Sequence, residues 1–189
     1  GYSSAKILCN SGYIVYGSVR KSEDVERIAD KLGENFHPLI FDVTDSKAIS
    51  ESIEKVRSDL KPGECIAALV NNAGIALGGP VTLIDTKVFR KQFEVNFFGL
   101  IDVTKACLPL LGASKESNNQ GKIINISSIS GRRSHPFMAP YTASKFALEA
   151  FSDSLRRELL IYGVDVILIE PGPIKTAIWD KAPDPEDNE

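Results

Sequence analysis

Cysteine is scarce in this chain. Cys9, Cys65 and Cys107 are the only three, they lie far apart in apolar segments, and none stands at a zinc-ligand spacing. An odd count excludes a closed disulfide framework, so all three are read as buried thiols of a reducing, cytoplasmic compartment. No His/Cys/acid cluster calls for a metal. Long apolar runs are missing too: no stretch approaches the ~20 residues that span a bilayer. No signal peptide is visible, although a membrane anchor preceding Gly1 is left open by the sequence. Positive charge is not in surplus, with 22 Lys and Arg against 25 Asp and Glu, a net charge of −3 and a pI near 5.5. That balance gives no broad basic field, which removes nucleic acid from the expected partners. Internal repeats and low-complexity tracts are also absent.

What remains is an ordinary globular composition, 43% hydrophobic and 25% charged over 189 residues, enough for one domain with a sizeable core. One punctuation mark recurs along it. A helix-like segment ends at a glycine and an apolar, β-branched run comes next, after Gly12, Gly33, Gly63, Gly121 and Gly163. Glycine suits the left-handed residue just past a helix end. The nearly continuous apolar runs predict strands buried on both faces, as in a parallel sheet covered by helices. Helical spacing is found over residues 2–10, 24–31, 45–60 (capped by Asp45 or Thr44), 89–111 and 141–162. Asp85 is placed to cap a helix that starts near Lys87. Strand–helix alternation of this kind predicts an α/β fold with a doubly wound parallel sheet in three layers.

The stretch 132–145 closes on Tyr141 and Lys145, four residues apart behind Pro140. A helix starting here, with proline at its first position, puts the two side chains on one face. A phenol beside an ammonium is a proton-transfer pair, because the positive charge favours the phenolate. The spacing alone decides nothing, since Tyr2 and Lys6 share it. Other small polar motifs stand at the C-terminal ends of strands, where open α/β sheets bind ligands. They are Asp42-Val43, Asn71-Asn72-Ala73-Gly74, Ser127-Ser128 and Pro171-Gly172-Pro173-Ile174-Lys175-Thr176, with Asn96 inside the long helical pattern. Read singly, each has a plain explanation. Asp42 is a cap, Asn71–Gly74 a turn, the serine pair the start of a turn, and Asn96 a polar residue tolerated in a helix.

Taken together, in this order and spacing, these motifs resemble the short-chain dehydrogenase/reductase family, over nearly the whole chain. The run 141–155 and Ile169–Pro173 are similar to its 17β-hydroxysteroid and retinol dehydrogenase branch. The resemblance implies a Rossmann fold, a nicotinamide cofactor, and hydride transfer between it and the alcohol or ketone group of a lipophilic small molecule. It makes Tyr141 the general acid/base. Lys145 becomes its electrostatic partner and a ligand of the nicotinamide ribose, and Ser128, thirteen residues before Tyr141, the donor to the reacting oxygen. Asn96 would hold a water that links Lys145 to solvent.

Gly1, Asp42, Val43, Asn72, Ala73, Gly74, Pro171, Gly172, Ile174 and Thr176 would line the cofactor. Arg20 would select NADP over NAD by gripping the 2′-phosphate, where an acid would instead bind the 2′-hydroxyl; otherwise it is a solvated loop arginine. Phe137, Met138, Ile178 and Trp179 would make the substrate side apolar, and His135 either touches substrate or is a solvated loop histidine. Gly1 looks like the last glycine of the family's phosphate-binding turn. Residues 1–189 are therefore read as one partial NAD(P)-binding domain, without its first strand or its C-terminal substrate region, that binds nucleotide weakly by itself and is inactive outside a longer protein. Family members pair through the two long helices, so a homodimer or homotetramer is expected. A non-catalytic nucleotide sensor or scaffold is the alternative; it would be expected to lack Tyr141 or Lys145. An extended-branch sugar epimerase fits the compact spacing poorly.

Overall fold

A computed structural model of the chain describes residues 1–113 and 120–174. The chain divides into two compact units, Gly1–Pro62 and Gly63–Glu189. The first contains α1 (Tyr2–Asn10), β1 (Val15–Val19), α2 (Glu23–Leu32), β2 (Phe36–Ile40) and α3 (Ser46–Asp59). Its two strands pair in parallel, Val15 opposite Phe36 through Val19 opposite Ile40. Cys9, Leu32 and Phe36 form a small core with Ala5, Val15 and Ile28 against it. The expected cap of α3 is Asp45: its carboxylate accepts from the amides of Lys47 and Ala48 at 3.1 and 2.9 Å.

The second unit begins with β3 (Ala68–Asn71), α4 (Thr86–Phe93) and α5 (Gly99–Cys107), with a π-helical turn at Glu94–Phe98 between the two helices. After β4 (Lys122–Ile126) come a 3-10 turn (Ile129–Gly131), α6 (Ala139–Leu159) and β5 (Asp165–Ile169). The strands form a parallel sheet in the order β3-β4-β5. The strand–helix alternation and parallel pairing are those expected. Gly12, Gly33, Gly63 and Gly163 have φ between 70° and 85°, as the glycine punctuation requires. Gly121 is different. Its φ is not positive; it is glycine because a Cβ there would lie 2.3 Å from the Ile66 carbonyl oxygen.

Four expectations are corrected. The run 89–111 is not one helix but two, separated by the π-helical turn and closed by a 3-10 turn at Leu108–Leu111. The helix bearing Tyr141 begins at Ala139, so Pro140 is its second residue, and its regular part ends at Leu159. Its N-terminus tolerates proline there because the first-turn amides have no helical acceptor. Third, two-sided burial of the strands holds for β2, where Phe36 and Leu39 on alternate faces are both buried, but not for the sheet of the second unit. In the second unit Asn71, Ile123, Asn125 and Val166 are buried toward α5 and α6, while Val70, Ile167 and Ile169 on the opposite face are 37–45% exposed. Strand side chains alternate, and α5 and α6 cover the buried face. Cys9 and Cys107 are buried as expected, with burial pushing the Cys107 thiol up to about 11, but Cys65 is only half-buried.

The core of the second unit centres on Leu111, Ile123 and Leu148, each with no exposed surface. Leu148→Ala is expected to lower the stability of the protein by about 3 kcal/mol, whereas Ile167→Ala, on the open face, is expected to cost less than about 1 kcal/mol. Urea denaturation of the two variants checks the contrast.

Candidate active site

The site in the second unit is built where β4 ends. Ser128 succeeds the strand with an extended backbone and caps the short 3-10 turn, its Oγ accepting from the Ser130 amide at 3.1 Å. Because that oxygen is used as an acceptor, its own hydrogen remains available to donate. Ser128 is 8% exposed. The turn packs against α6, and the Ser127 amide donates to Ile169 and the Ile129 amide to Pro171. The end of β4, the adjoining turn and the end of β5 are therefore tied together by backbone bonds.

Tyr141 and Lys145 lie one helical turn apart on the buried face of α6, each 7% exposed. Lys145 Nζ donates to the Ile126 carbonyl at 2.8 Å, at the strand end two residues before Ser128, and stands 5.7 Å from the centroid of the Tyr141 ring. Burial pulls Lys145 down to about 8, and the carboxylate of Glu149, the next turn along, acts in the opposite direction. One ammonium hydrogen meets the Ile126 carbonyl, which leaves two for other acceptors. The turn that bears Ser128 and the α6 face that bears Tyr141 and Lys145 thus meet, through the packing of that turn on α6 and the bond from the ammonium to β4.

Asn96 occupies the middle of the π-helical turn and is buried. Its Oδ1 accepts from the Ile75 amide at 2.9 Å, and its Nδ2 donates to the Ile75 carbonyl at 3.0 Å and to Ser144 Oγ at 3.3 Å. Gln92, four residues earlier and fully buried, does the same work for the next turn: it accepts from the Leu77 amide at 2.7 Å and donates to the Ile75 carbonyl at 2.9 Å. The two amides clamp the segment that leaves β3, and Gly74 packs directly on Asn96, a Cβ there lying 3.4 Å from its Oδ1. Phe93, Phe98 and Phe151 meet Phe97 edge-on, joining the π-helical turn to α6.

Asn72, Ala73 and Gly74 are exposed past β3, Pro171 is half-buried, and Gly172 and Ile174 are exposed past β5. Thr176, with Lys175, Ile178 and Trp179, lies outside the described residues. His135 and Phe137 are exposed on the loop before α6. Phe137 has φ +62°, the left-handed region that a bulky residue seldom adopts. Its carbonyl accepts from the Gly79 amide at 2.7 Å, and a Cβ on Gly78 would lie 2.4 Å from that oxygen. The loop before α6 thus rests on the segment that Gln92 and Asn96 hold.

In the first unit, Arg20 is exposed just past β1 and Gly1 is exposed at the N-cap of α1. Asp42 and Val43 are half-buried past β2. The Asp42 carboxylate accepts from the Thr44 amide and hydroxyl at 3.0 and 2.8 Å, so one of its oxygens is committed to its own turn.

Sequence reading missed Gln92, Arg132, Ser144 and Glu149. A signal existed for two of them. Gln92 follows Val88 and Phe89 on an amphipathic helix, and Glu149 stands one turn after Lys145; a polar side chain on a buried face needs a partner.

Comparisons with known proteins place the chain in a family. Residues 1–187 match the model of the short chain dehydrogenase family. The chain belongs to that family. Among curated relatives, it is 49% identical over 172 residues to the NADPH-dependent 3-dehydrocapnine reductase of Ornithobacterium rhinotracheale, covering 90% of this chain and 60% of the relative. It is 35% identical over 181 residues to the 3-ketodihydrosphingosine reductase of Bacteroides thetaiotaomicron, covering 95% and 62%. Among solved structures, a short-chain dehydrogenase from Streptomyces avermitilis aligns with a TM-score of 0.81 at 30% identity, over 93% of this chain and 64% of that one. ElxO with NADP bound aligns with a TM-score of 0.84 at 29% identity, over 96% and 73%. The chain spans 60–62% of the length of these two curated relatives.

Gln92→Leu is expected to leave the Leu77 amide without its acceptor and to weaken the hold on the Ile75 carbonyl, at a cost of about 2 kcal/mol. Hydrogen exchange at Leu77 should accelerate in that variant while exchange in the first unit stays unchanged.

Proposed function

We propose that the protein is an NADPH-dependent oxidoreductase that reduces a ketone on a lipophilic substrate, with Tyr141 as the general acid. The observation that carries the reading is the bond from Lys145 to the Ile126 carbonyl, which brings the Tyr141–Lys145 face of α6 to the strand end that presents Ser128. The donors of the second unit suit a dinucleotide: exposed backbone past β3 and β5 and a buried ammonium. NADPH, when bound, supplies the hydride to the carbonyl carbon. Ser128 Oγ donates a hydrogen bond to the carbonyl oxygen, and the Tyr141 hydroxyl gives that oxygen its proton. The Lys145 ammonium stabilises the phenolate left behind, its charge little screened because the group is buried. Asn96 holds the segment after β3 and, through a water, connects Lys145 to solvent.

Relatives support a finer reading. Their names place the reacting carbon at position 3: 3-dehydrocapnine, 3-ketodihydrosphingosine and, in the mitochondrial enzyme of Mus musculus that is 36% identical over 177 residues, D-β-hydroxybutyrate. A 3-keto group on a long-chain lipid is the proposed substrate, with the exposed ring of Phe137 and with His135 on its approach. Arg20 is proposed to grip the 2′-phosphate, Asp42 and Val43 to lie by the adenine, and Gly1, Asn72, Ala73, Gly74, Pro171, Gly172, Ile174 and Thr176 to line the rest of the nucleotide. The family match over residues 1–187 favours reading both units as parts of one nucleotide-binding domain. Phe98 and Phe146, 50% and 44% exposed on the π-helical turn and α6, suit a homo-oligomer formed through these helices. Among the described residues no helix is long and apolar enough to cross a membrane; a cytoplasmic location is proposed on the three free thiols.

Two measurements test the reading on the full-length protein. Tyr141→Phe is expected to reduce turnover of 3-ketodihydrosphingosine about a thousand-fold, followed by nicotinamide absorbance, while calorimetric affinity for NADPH is kept. Retained turnover removes Tyr141 from the chemistry. Arg20→Glu is expected to weaken NADPH about 10- to 100-fold and NADH little; an unchanged preference refutes the role of Arg20.

A further inference from the structure

Glu149 has no place in the chemistry proposed above, yet it is a carboxylate buried on the active face of α6. It is 5% exposed, and neither of its oxygens has a hydrogen-bond partner among the described residues. Its neighbours are specific. Arg132 Nη2 lies 3.0 Å from Oε2, and the same guanidinium donates to Glu170 through Nε at 3.2 Å and Nη2 at 3.1 Å. Gly131 lies directly against the side chain: a Cβ there would stand 2.9 Å from Glu149 Cγ, 3.0 Å from Oε1 and 3.0 Å from the unpartnered Ser127 Oγ. The carboxylate is therefore seated beside the turn that succeeds Ser128, and an arginine from the end of that turn joins it to the residue just past β5. Burial without a full set of partners is costly for a carboxylate. Such an arrangement persists where the charge serves a neighbour.

That neighbour is Lys145, four residues earlier on the same helix face. We infer that Glu149 and Arg132 form a positioning pair that sets the charge state of Lys145 and fixes the turn carrying Ser128. The inference rests on the proposed role of Lys145 but not on the substrate. The groups that face this helix are few. On α6 itself they are Tyr141, Asp153, Arg156, Arg157 and Glu158, of which Asp153 pairs with Arg156. The 3-10 turn after α6 adds Tyr162. β5 and the residue after it bring Asp165, paired with Lys122 on β4, and Glu170, held by Arg132. The side chains Lys87, Arg90 and Lys91 of α4, and Glu94 of the π-helical turn, are exposed. Glu149 acts on Lys145 directly, opposing the pull of burial, and the Arg132 guanidinium 3.0 Å from its Oε2 is the second charge of the pair.

The signs differ for the two partners, which makes the pair testable. Removing the carboxylate leaves burial unopposed, so Lys145 should lose its proton at lower pH; removing the guanidinium takes a positive charge away, so it should lose its proton at higher pH. In full-length protein with isotopically labelled lysine, Lys145 is assigned by comparison with Lys145→Arg and titrated by NMR. Glu149→Gln should move the titration down by about one unit, and Arg132→Gln, at an exposed position, should move it up. The alkaline limb of the pH–rate profile should shift in the same two directions. Should Glu149→Gln fail to fold, the upward shift in Arg132→Gln decides alone. No shift, or shifts of the same sign, would overturn the pair, because a merely structural role would not separate the two variants. The NMR readout needs neither substrate nor turnover, so its outcome is separable from failure of the proposed reaction.

Discussion

The arrangement of the second unit depends on a buried polar seam between its sheet and its helices. Asn71 at the end of β3 donates to Thr104 of α5 at 3.0 Å and to the Asn125 side-chain oxygen in β4 at 2.9 Å. Asn125 donates in turn to Ser152 of α6 at 2.9 Å, and Ser152 to the Leu148 carbonyl at 2.7 Å. Apolar packing alone lets a helix slide or rotate over a sheet at modest cost. A buried hydrogen bond does not, because an unmade bond leaves a desolvated polar group behind. The bond from Asn125 to Ser152 fixes the height of α6 on β4, and two helical turns toward its N-terminus Lys145 reaches the Ile126 carbonyl. The distance from Tyr141 to the Ser128 turn is set by that register.

A second constraint works from the other side. The segment leaving β3 has few bonds of its own, and the side-chain amides of Gln92 and Asn96 supply them by imitating backbone. Each offers a donor and an acceptor to the Ile75–Leu77 stretch. The same segment supports the Phe137 carbonyl through the Gly79 amide. A strained, exposed aromatic on the loop before Tyr141 is thus held by a chain of contacts that begins in the π-helical turn. Strain of this kind persists where surrounding structure dictates it.

Much of this was legible in the sequence. Asp45 and Asp85 announced their helices, since a short acceptor before an amphipathic run has one obvious use. The glycines past helix ends announced the strands. The six polar motifs gave the family, which the match over residues 1–187 bears out. What escaped did so for separate reasons. The break between α4 and α5 left no mark, because Phe93, Val95, Phe97 and Leu100 keep an apolar stripe through the π-helical turn. Nor does local pattern reveal that Arg132 reaches Glu149 and Glu170, because those residues meet only after β4, β5 and α6 have assembled. One-sided burial of the strands in the second unit escaped for a different reason: apolarity reports what a face can bury, and Ile167 and Ile169 are as apolar as Val166.

The π-helical turn also bears on how chain length is tolerated. Such a turn carries one residue more than an α-helix needs to advance the same distance. Deleting one residue within Glu94–Phe98 would let α4 and α5 join as a single regular helix with their faces close to their present phase, and would take away the bulge that carries Asn96. Insertions and deletions are usually absorbed in surface loops; here the sensitive spot is mid-helix, in an apolar stretch where nothing in the composition warns of it. The loss from such a deletion would fall on the bonds that Asn96 makes to Ile75 and Ser144, while the helix itself would stay continuous.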